Sequence, residues 1–512
     1  MNAVPFNGDE AIVGLMARHI LLQSERPAFF YGQAYMGSLD AYLVTAAFAI
    51  FGIQIWVIRL VQVLLYLGTL ATTVWVCQYF FGSWEAGMIA AALLAIPPVN
   101  MTLYTTASLG GYGEALLIGN LILLSGMAWI RQIQTGHDKQ KIVRTGIFGV
   151  CCGLGLWANG LTLVYSIPIV VIAGINIVRQ KKISGSSLAS VMVAGLGFLL
   201  GSLPWWLFAF NQGFSSLITE LLGNNVAVET GTWLSRVGQH LLNLILLGGT
   251  VTLGFRPPWE IRWLGLPLIP FILIFWLLVF FLFLKQSRNS MTKIPFWVCF
   301  GVLITFAVGF VFTSFGVDPS GRYFLPAFLV FCVAAGAGLA FSNLSIKLKI
   351  AAIAVVLTFQ AWGTIDCVLR NPPGLTTQFY APTVYDHSAY PQLIKFLEQK
   401  GETRGYSTYW VSYPLAFRSQ EDLVFSPALP YHPDLRYSRR DDRYAPYSIL
   451  VEESEHVAYI TVRNSGLNEY LRTNFSRLNV HWQEQTIGDF EVFFALSRTV
   501  RPQEIGLGGI QP

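Results

Sequence analysis

The chain has 512 residues, of which 54% are hydrophobic and 12% charged, with mean hydropathy +0.53 and a formal net charge of +5. A soluble globular protein carries about twice that charged fraction, so the composition excludes one and specifies a polytopic membrane protein. The small positive balance is the loop bias that orients membrane spans, and no nucleic-acid partner is expected.

The N-terminus lacks a basic region followed by an apolar run, so no cleavable signal peptide is expected. Asp9 and Glu10 open an amphipathic stretch, GDEAIVGLMARHILL, and residues 9–24 read as a helix lying along the membrane surface. Two carboxylates at the edge of a bilayer are costly to desolvate and need a reason to be there. The run YGQAYMGSLDAYL leads into a second surface helix over 36–52, which contributes Asp40.

Ten spans follow, over 55–81, 86–99, 112–130, 146–158, 161–178, 188–210, 263–284, 294–315, 323–341 and 350–368. The fourth and fifth form a hairpin with a turn at Asn159-Gly160. Basic residues collect in four loops: Arg131, Lys139, Lys141 and Arg144; Arg179, Lys181 and Lys182; Lys285, Arg288 and Lys293; Lys347 and Lys349. All four fall on one side of the ten-span arrangement, which makes that side cytoplasmic. The N-terminal 54 residues, the 100–111 loop, the 211–262 segment, the 316–322 loop and the C-terminus are then expected outside. The stretch Arg236 to Gly254 is apolar enough to span, but both neighbours require it to begin and end outside. It reads as an interfacial or re-entrant helix.

Residues 369–512 hold 14 basic and 16 acidic side chains, so about half of the chain's formal charge sits in its tail. Strand-like runs at RGYSTYW, EDLVFS, VAYITV and FEVFFALS alternate with helical runs at PQLIKFLEQK and GLNEYLRTNF. The expected organisation is a surface-helix loop (1–54), a transmembrane domain (55–368) and a small extracytoplasmic α/β or α+β domain (369–512). Cys77, Cys151, Cys152, Cys299, Cys332 and Cys367 lie in or at the end of apolar segments. Their spacing suggests neither a disulfide framework nor a metal site.

The outer loops carry a set of polar residues that the topology brings to one face. Besides Asp9, Glu10 and Asp40, the loop NMTLYTTASLGGYGE ends in Glu114, and GVDPSGRYFLP holds Asp318, Arg322 and Tyr323. Glycosyl transfer to a hydroxyl needs a carboxylate to take the acceptor proton and a cation to stabilise the departing phosphate. Each residue also has an ordinary alternative. Asp9 could complement a helix dipole, Asp40 could be solvated on an amphipathic helix, Glu114 could cap the third span, and Arg322 could snorkel as a topology anchor. His19 reads as a packing or surface residue. GLGLWANG, from Gly153 to Gly160, superficially matches a dinucleotide fingerprint, but no strand precedes it and the reading is discarded.

The order of these features resembles the GT-C superfamily of membrane glycosyltransferases, nearest to protein O-mannosyltransferases and aminoarabinose transferases. The resemblance rests on an acidic pair before a surface helix, a second surface helix ending in FAIFG, and Arg59 at the opening of a span, with GGYGE and SGRYFLP following. RGYSTYWVSYPLAF is similar to an extracytoplasmic domain of bacterial members. The resemblance implies a polytopic α-helical, GT-C-like fold of about a dozen spans with outer surface helices. It implies a polyprenyl-phosphate-linked sugar donor in the plasma (inner) membrane, with transfer on the non-cytoplasmic face to a glycan, lipid or protein acceptor. By position, Asp9 would be the base and Glu10, Asp40 and Glu114 supporting acids. Arg322, with Tyr323 beside it, would contact the donor phosphate. Some relatives use a divalent ion, so a metal is open. The resemblance also implies a span ahead of the acidic loop, which is expected to be absent here, since Met1 lies eight residues before Asp9. Two other function classes remain open on the sequence: a transporter or lipid flippase, and a non-catalytic assembly protein.

Overall fold

A computed structural model describes residues 3–135, 141–179, 185–222, 231–318, 320–370, 374–377, 381–432 and 434–507. Lys139, Lys181, Lys182 and Pro319 of the loops above lie outside the described residues. The first elements are α1 (Gly8–Gln23), two short strands β1 (Phe29–Phe30) and β2 (Gln33–Gly37), α2 (Leu39–Phe51), α3 (Ile55–Phe81), α4 (Trp84–Ala95), α5 (Val99–Thr106) and α6 (Tyr112–Thr135). Next come α7 (Lys141–Ala158), α8 (Leu163–Val178), α9 (Gly185–Gly201), α10 (Leu203–Gln212), α11 (Phe214–Leu221), α12 (Trp233–Leu242), α13 (Gly249–Thr252), α14 (Ile269–Gln286), α15 (Lys293–Phe312), α16 (Leu325–Ala340) and α17 (Ile346–Arg370). The tail holds α18 (Tyr390–Lys400), β3 (Arg404–Tyr406), α19 (Tyr409–Arg418), β4 (Val424–Ser426), α20 (Ala445–Glu452), β5 (Ala458–Val462), α21 (Ser465–Arg477), β6 (Gln483–Ile487) and β7 (Phe490–Phe494).

Among the described residues, seven helices are long and apolar enough to cross a membrane, or nine if each of two bent pairs is one span. The seven coincide with the spans expected from 55, 112, 161, 263, 294, 323 and 350. The other three differ. The expected span 86–99 stops at Ala95 and turns by 83° into α5, because Pro97 and Pro98 cannot donate to the helix and exclude helical backbone before them. The expected span 188–210 breaks at Ser202, with a 66° bend into α10, which carries Pro204 in its first turn. The expected span 146–158 is the end of a longer helix whose apolar part, Val143–Ala158, is short. The stretch Arg236 to Gly254 is not one helix: α12 passes into a π-helical turn, Asn243–Gly248, before α13. The second surface helix begins at Leu39, since Gln33–Gly37 is a strand.

The chain divides into two compact units: Met1–Gln33 with Ala41–Arg59 and Val368–Pro512, and Ala34–Asp40 with Leu60–Cys367. The second is the membrane unit. Its most buried span, Arg322–Ala340, is 89% buried, whereas Leu266–Gln286 is only 22% buried and exposes Phe271, Ile274, Leu277, Phe280 and Phe281 to the surroundings. So α16 runs through the middle of the bundle and α14 presents an apolar face suited to lipid. Helices α7 and α9 meet through small residues. A Cβ at Gly149 would stand 2.1 Å from Ala194 O, one at Gly153 2.1 Å from Phe198 O, and one at Gly201 2.3 Å from Val150 O. These paired Gly-x-x-x-Gly spacings let the two backbones touch. This is the role of the glycine that opens GLGLWANG.

The other unit contains a five-stranded sheet of order β4-β3-β5-β7-β6. β4, β3 and β5 are parallel, with helical crossovers, and β7 and β6 are antiparallel. The central β5 is buried along its whole length, as a strand covered on both faces must be. Leu393 and Leu397 of α18 and Val411 and Leu415 of α19 pack with Phe425, Ile460, Phe490 and Val492 as its core. Gly405 is required there, because a Cβ would meet Ala458 O at 2.0 Å. Four expected strands and two expected helices are present, with one change: in RGYSTYW only Arg404–Tyr406 is strand, and Tyr409-Trp410 begin α19. The edge strand β6 went unpredicted, since QEQTI is exposed and carries no apolar alternation. In the same unit α1 lies against α19: a Cβ at Gly14 would meet the Phe417 ring at 2.6 Å.

Candidate active site

In the first unit, the Asn7 side chain caps α1 by accepting from the Glu10 backbone N–H, and this places Asp9 and Glu10 in the first turn. Carboxylates there also complement the helix dipole. The two acids meet different surroundings. Glu10 is fully buried (0% exposed), and both of its oxygens accept from Arg59, from Nε at 2.8 Å and Nη2 at 2.8 Å. Arg59 is itself 4% exposed. Asp9 is half-buried and accepts from the Tyr409 hydroxyl. Gly8 permits this contact, since a Cβ there would stand 2.8 Å from the Tyr409 ring. The Arg443 guanidinium lies 5.6 Å from that ring. Asp441 completes the group: burial pushes its carboxyl up to about 7, Arg443 opposes the rise, and the Asp9 charge adds to it.

His19, farther along α1, is buried. Its Nε2 meets Glu421 at 2.8 Å and its Nδ1 the Tyr31 hydroxyl at 3.0 Å. Burial alone would raise Glu421, but hydrogen bonds from His19, Arg18 and Tyr447 outweigh it and hold the carboxyl down at about 2.

In the membrane unit, Asp40 and Glu114 come together. Asp40 is buried and accepts from Gln62 Nε2 at 2.9 Å and from the Ser108 hydroxyl. Burial pushes its carboxyl up to about 6, against the hydrogen bonds from Ser108 and Gln62 that pull it down. Glu114, 1% exposed, faces Asp40, and neither of its oxygens has a hydrogen-bond partner among the described residues. The GGYGE sequence builds this approach. Gly110 and Gly111 have φ of +99° and +81°, which suits glycine, and a Cβ at Gly113 would press to 2.6 Å from the Gln62 side chain that holds Asp40.

Arg322 also lies in this unit, after Gly321 at φ +80°. Its Nη2 pairs with Asp318 at 2.5 Å, and its guanidinium stands 4.9 Å from the Tyr323 ring. Its Nε is buried without a hydrogen-bond partner, which leaves a donor for a ligand. Asn100 donates to Gly321 O at 3.4 Å, which links the loop before GGYGE to SGRYFLP. Beside these groups is a cavity of about 230 Å³, whose lining includes Tyr35, Tyr112 and Tyr323 and the apolar Val164, Ile167 and Phe310.

The structure thus joins Asp40 to Glu114 and Arg322 to Tyr323 and Asp318, while Asp9 and Glu10 belong to the other unit. Sequence reasoning passed over Tyr409, Gln62, Ser108 and Asp441. Tyr409 lies in RGYSTYW, read there as a strand, and Ser108 in NMTLYTTASLGGYGE, where only Glu114 was singled out. Among the described residues no group of three or more His, Cys, Asp or Glu side chains gathers as metal ligands. Asp40 and Glu114 offer two carboxyls, one already held by two donors, so they do not fit a divalent ion closely and no step is derived through one.

No protein-family model matches the chain, and no curated protein matches it in sequence. Its fold does match solved structures. ArnT from Cupriavidus metallidurans in the apo state superposes with TM-score 0.62 at 11% identity, over 95% of this chain and 93% of that one. ArnT from the same organism bound to undecaprenyl phosphate gives TM-score 0.60 at 11% identity and the same coverage. The archaeal oligosaccharyltransferase AglB from Archaeoglobus fulgidus is a weaker likeness, with TM-score 0.46 and 12% identity, over 88% of this chain and 65% of that one. The chain is a polytopic, mostly helical membrane protein with a small C-terminal sheet domain, and its fold is GT-C-like.

Proposed function

We propose that the chain is a membrane glycosyltransferase that moves a sugar from a polyprenyl-phosphate donor to an acceptor hydroxyl on the non-cytoplasmic face of the plasma membrane. The observation that carries the reading is the ArnT-like fold across nearly the whole chain, with a relative seen bound to undecaprenyl phosphate. The membrane unit supplies parts that suit such a donor. Arg322 has an unused buried donor for a phosphate, and the neighbouring apolar, phenol-lined cavity suits a prenyl chain.

In this reading Asp9, half-buried and oriented by Tyr409, takes the proton of the acceptor hydroxyl as its oxygen attacks the anomeric carbon. The bond from that carbon to the phosphate oxygen breaks, and the polyprenyl phosphate leaves with its electron pair and negative charge. A single displacement inverts the sugar carbon. Glu10 holds its place through Arg59, and Asp40 with Glu114 supports the membrane loops. The charge bias of the basic loops supports a C-terminal domain outside the cytoplasm, where it would meet a glycan, lipid or protein acceptor.

The test is transfer of label from radiolabelled polyprenyl-phosphate sugars by purified protein. Wild type should transfer and Asp9→Asn should lose about a hundredfold or more; equal transfer by both would remove Asp9 from the chemistry. The two bent helix pairs favour a second reading, a transporter with discontinuous helices. Movement of the intact lipid across liposomes without chemical change would support it.

A further inference from the structure

A groove of about 1020 Å³ opens in the first unit. Its walls are the segment Val4–Phe6, the segment Ile53–Trp56 at the entry to α3, the 386–388 turn with the first turns of α18, and the end of α19. Arg59, Lys395 and Arg418 line it, together with Asp386 and Glu398. Most of these charges are accounted for. Arg59 holds Glu10, and Asp386 accepts from the Ser388 N–H and hydroxyl at 2.8 and 2.7 Å. Lys395 and Glu398 are exposed at the rim.

Arg418 is different. No carboxylate pairs with it among the described residues. Its guanidinium stands 4.9 Å from the Tyr390 ring and 5.4 Å from the Phe6 ring, and its Nε is buried without a hydrogen-bond partner. The acid whose charge reaches it, Glu10, is held by Arg59. His387, in the same wall, also has a buried and unpartnered atom, Nδ1. Burial together with the Arg418 charge pushes its ring down to about 3. The ring is therefore neutral, and a neutral imidazole can offer Nδ1 as an acceptor. A cation with a spare donor and a neutral acceptor side by side in a groove of this size fit a ligand that is anionic and also carries a hydroxyl.

We propose that this groove binds a hydroxylated phosphate ester, with Arg418 donating to the phosphate and His387 Nδ1 accepting from the ligand hydroxyl. The exposed Trp56 packs the ligand's carbon skeleton. The shared chemistry is that of a glycerol-type phospholipid headgroup and of a soluble sugar or glycerol phosphate. The lipid source is favoured by the apolar Ile55 and the 44%-exposed Trp56 at the start of a span. This site is separate from the Arg322 contact and does not depend on the proposed transfer reaction.

The experiment uses the full chain carrying Arg322→Gln, so that the donor contact proposed above does not contribute. In phosphatidylcholine nanodiscs, glycerol 1-phosphate is titrated by calorimetry. In a second arm, nanodiscs with and without phosphatidylglycerol are compared by thermal unfolding. Saturable binding in either arm is expected, with phosphatidylglycerol alone identifying a headgroup and glycerol phosphate identifying a soluble ligand. Arg418→Gln should weaken it by about tenfold or more, as loss of a bond to a charged group does, and His387→Phe by about two- to tenfold, as loss of a neutral hydrogen bond does, while Arg418→Lys retains part of it. If Arg418→Gln fails to fold, His387→Phe is the variant read. Binding in neither arm, or binding unchanged in variants that melt like the parent without ligand, would overturn the assignment.

Discussion

The pair Glu10–Arg59 sets up a sharp test of how α1 is held. Both side chains are almost completely buried, and two hydrogen bonds of 2.8 Å join them. Glu10→Ala leaves the Arg59 guanidinium buried against an emptied site. Removing one partner of a buried pair costs about 3–5 kcal/mol, because the remaining charge has no compensation. For a unit of about 200 residues, where each kcal/mol moves the melting temperature by about 2–4 °C, the expected drop is about 6–20 °C. Arg59→Ala should fall in the same range, since it strands the Glu10 carboxylate. The double variant Glu10→Ala with Arg59→Ala leaves a cavity but no stranded charge. It should melt above the value obtained by adding the two single effects, with a coupling of about 2–3 kcal/mol. The assay is thermal unfolding of purified protein in detergent, followed by fluorescence, for all four members of the cycle. If Glu10→Ala melts with wild type, or if the double variant equals the sum of the singles, burial of this pair does not stabilise α1 as argued.

Other outcomes follow from the same geometry. Tyr409→Phe removes the donor to Asp9 and should lower the transfer rate by about tenfold and the melting temperature by about 3–12 °C, since a hydrogen bond to a charged group is worth about 1.5–3 kcal/mol; transfer at the wild-type rate would show that Tyr409 does not orient Asp9. Arg322→Lys keeps the charge but not the planar fork, so it should recover only part of the transfer lost in Arg322→Gln, and full recovery would count against a phosphate bound by geometry. Glu421 has a folded-state pKa depressed from 4.5 to about 2. Its contribution is therefore complete above the unfolded value and lost as pH falls from about 4.5 to about 2. Glu421→Gln should flatten the decline of melting temperature across that window, and an unchanged decline would refute the assignment. Gly153→Leu places a side chain where a Cβ already lies 2.1 Å from Phe198 O, so it should separate α7 from α9 and lower the yield of folded protein, while Gly174→Leu, at a site with open space, should not.

Much of this protein is legible in one dimension. Hydropathy alone marks the membrane class and seven of the ten expected spans, because a span must be a continuous apolar helix wherever it sits. Pro97-Pro98 marks the break after α4, though the sequence did not say that the chain would turn there rather than pass through. VAYITV and FEVFFALS declare themselves as strands by their β-branched and aromatic content, and Asp9 and Glu10 stand out as two carboxylates opening an amphipathic stretch at a bilayer edge. What lay beyond the sequence is the identity of each partner. Tyr409 is 400 residues from the Asp9 it contacts, Glu421 is 402 from His19, and Ser108 is 68 from Asp40. Each lies in a segment picked out for another reason, Tyr409 in RGYSTYW, Ser108 in NMTLYTTASLGGYGE and Glu421 in EDLVFS, and nothing in those segments names the partner until the fold supplies it. The two acids of a single dipeptide also part company only in three dimensions. One turn of helix directs Glu10 into the packed interior against Arg59 and leaves Asp9 half-open beside a phenol, because neighbouring positions on an α-helix point about a quarter-turn apart.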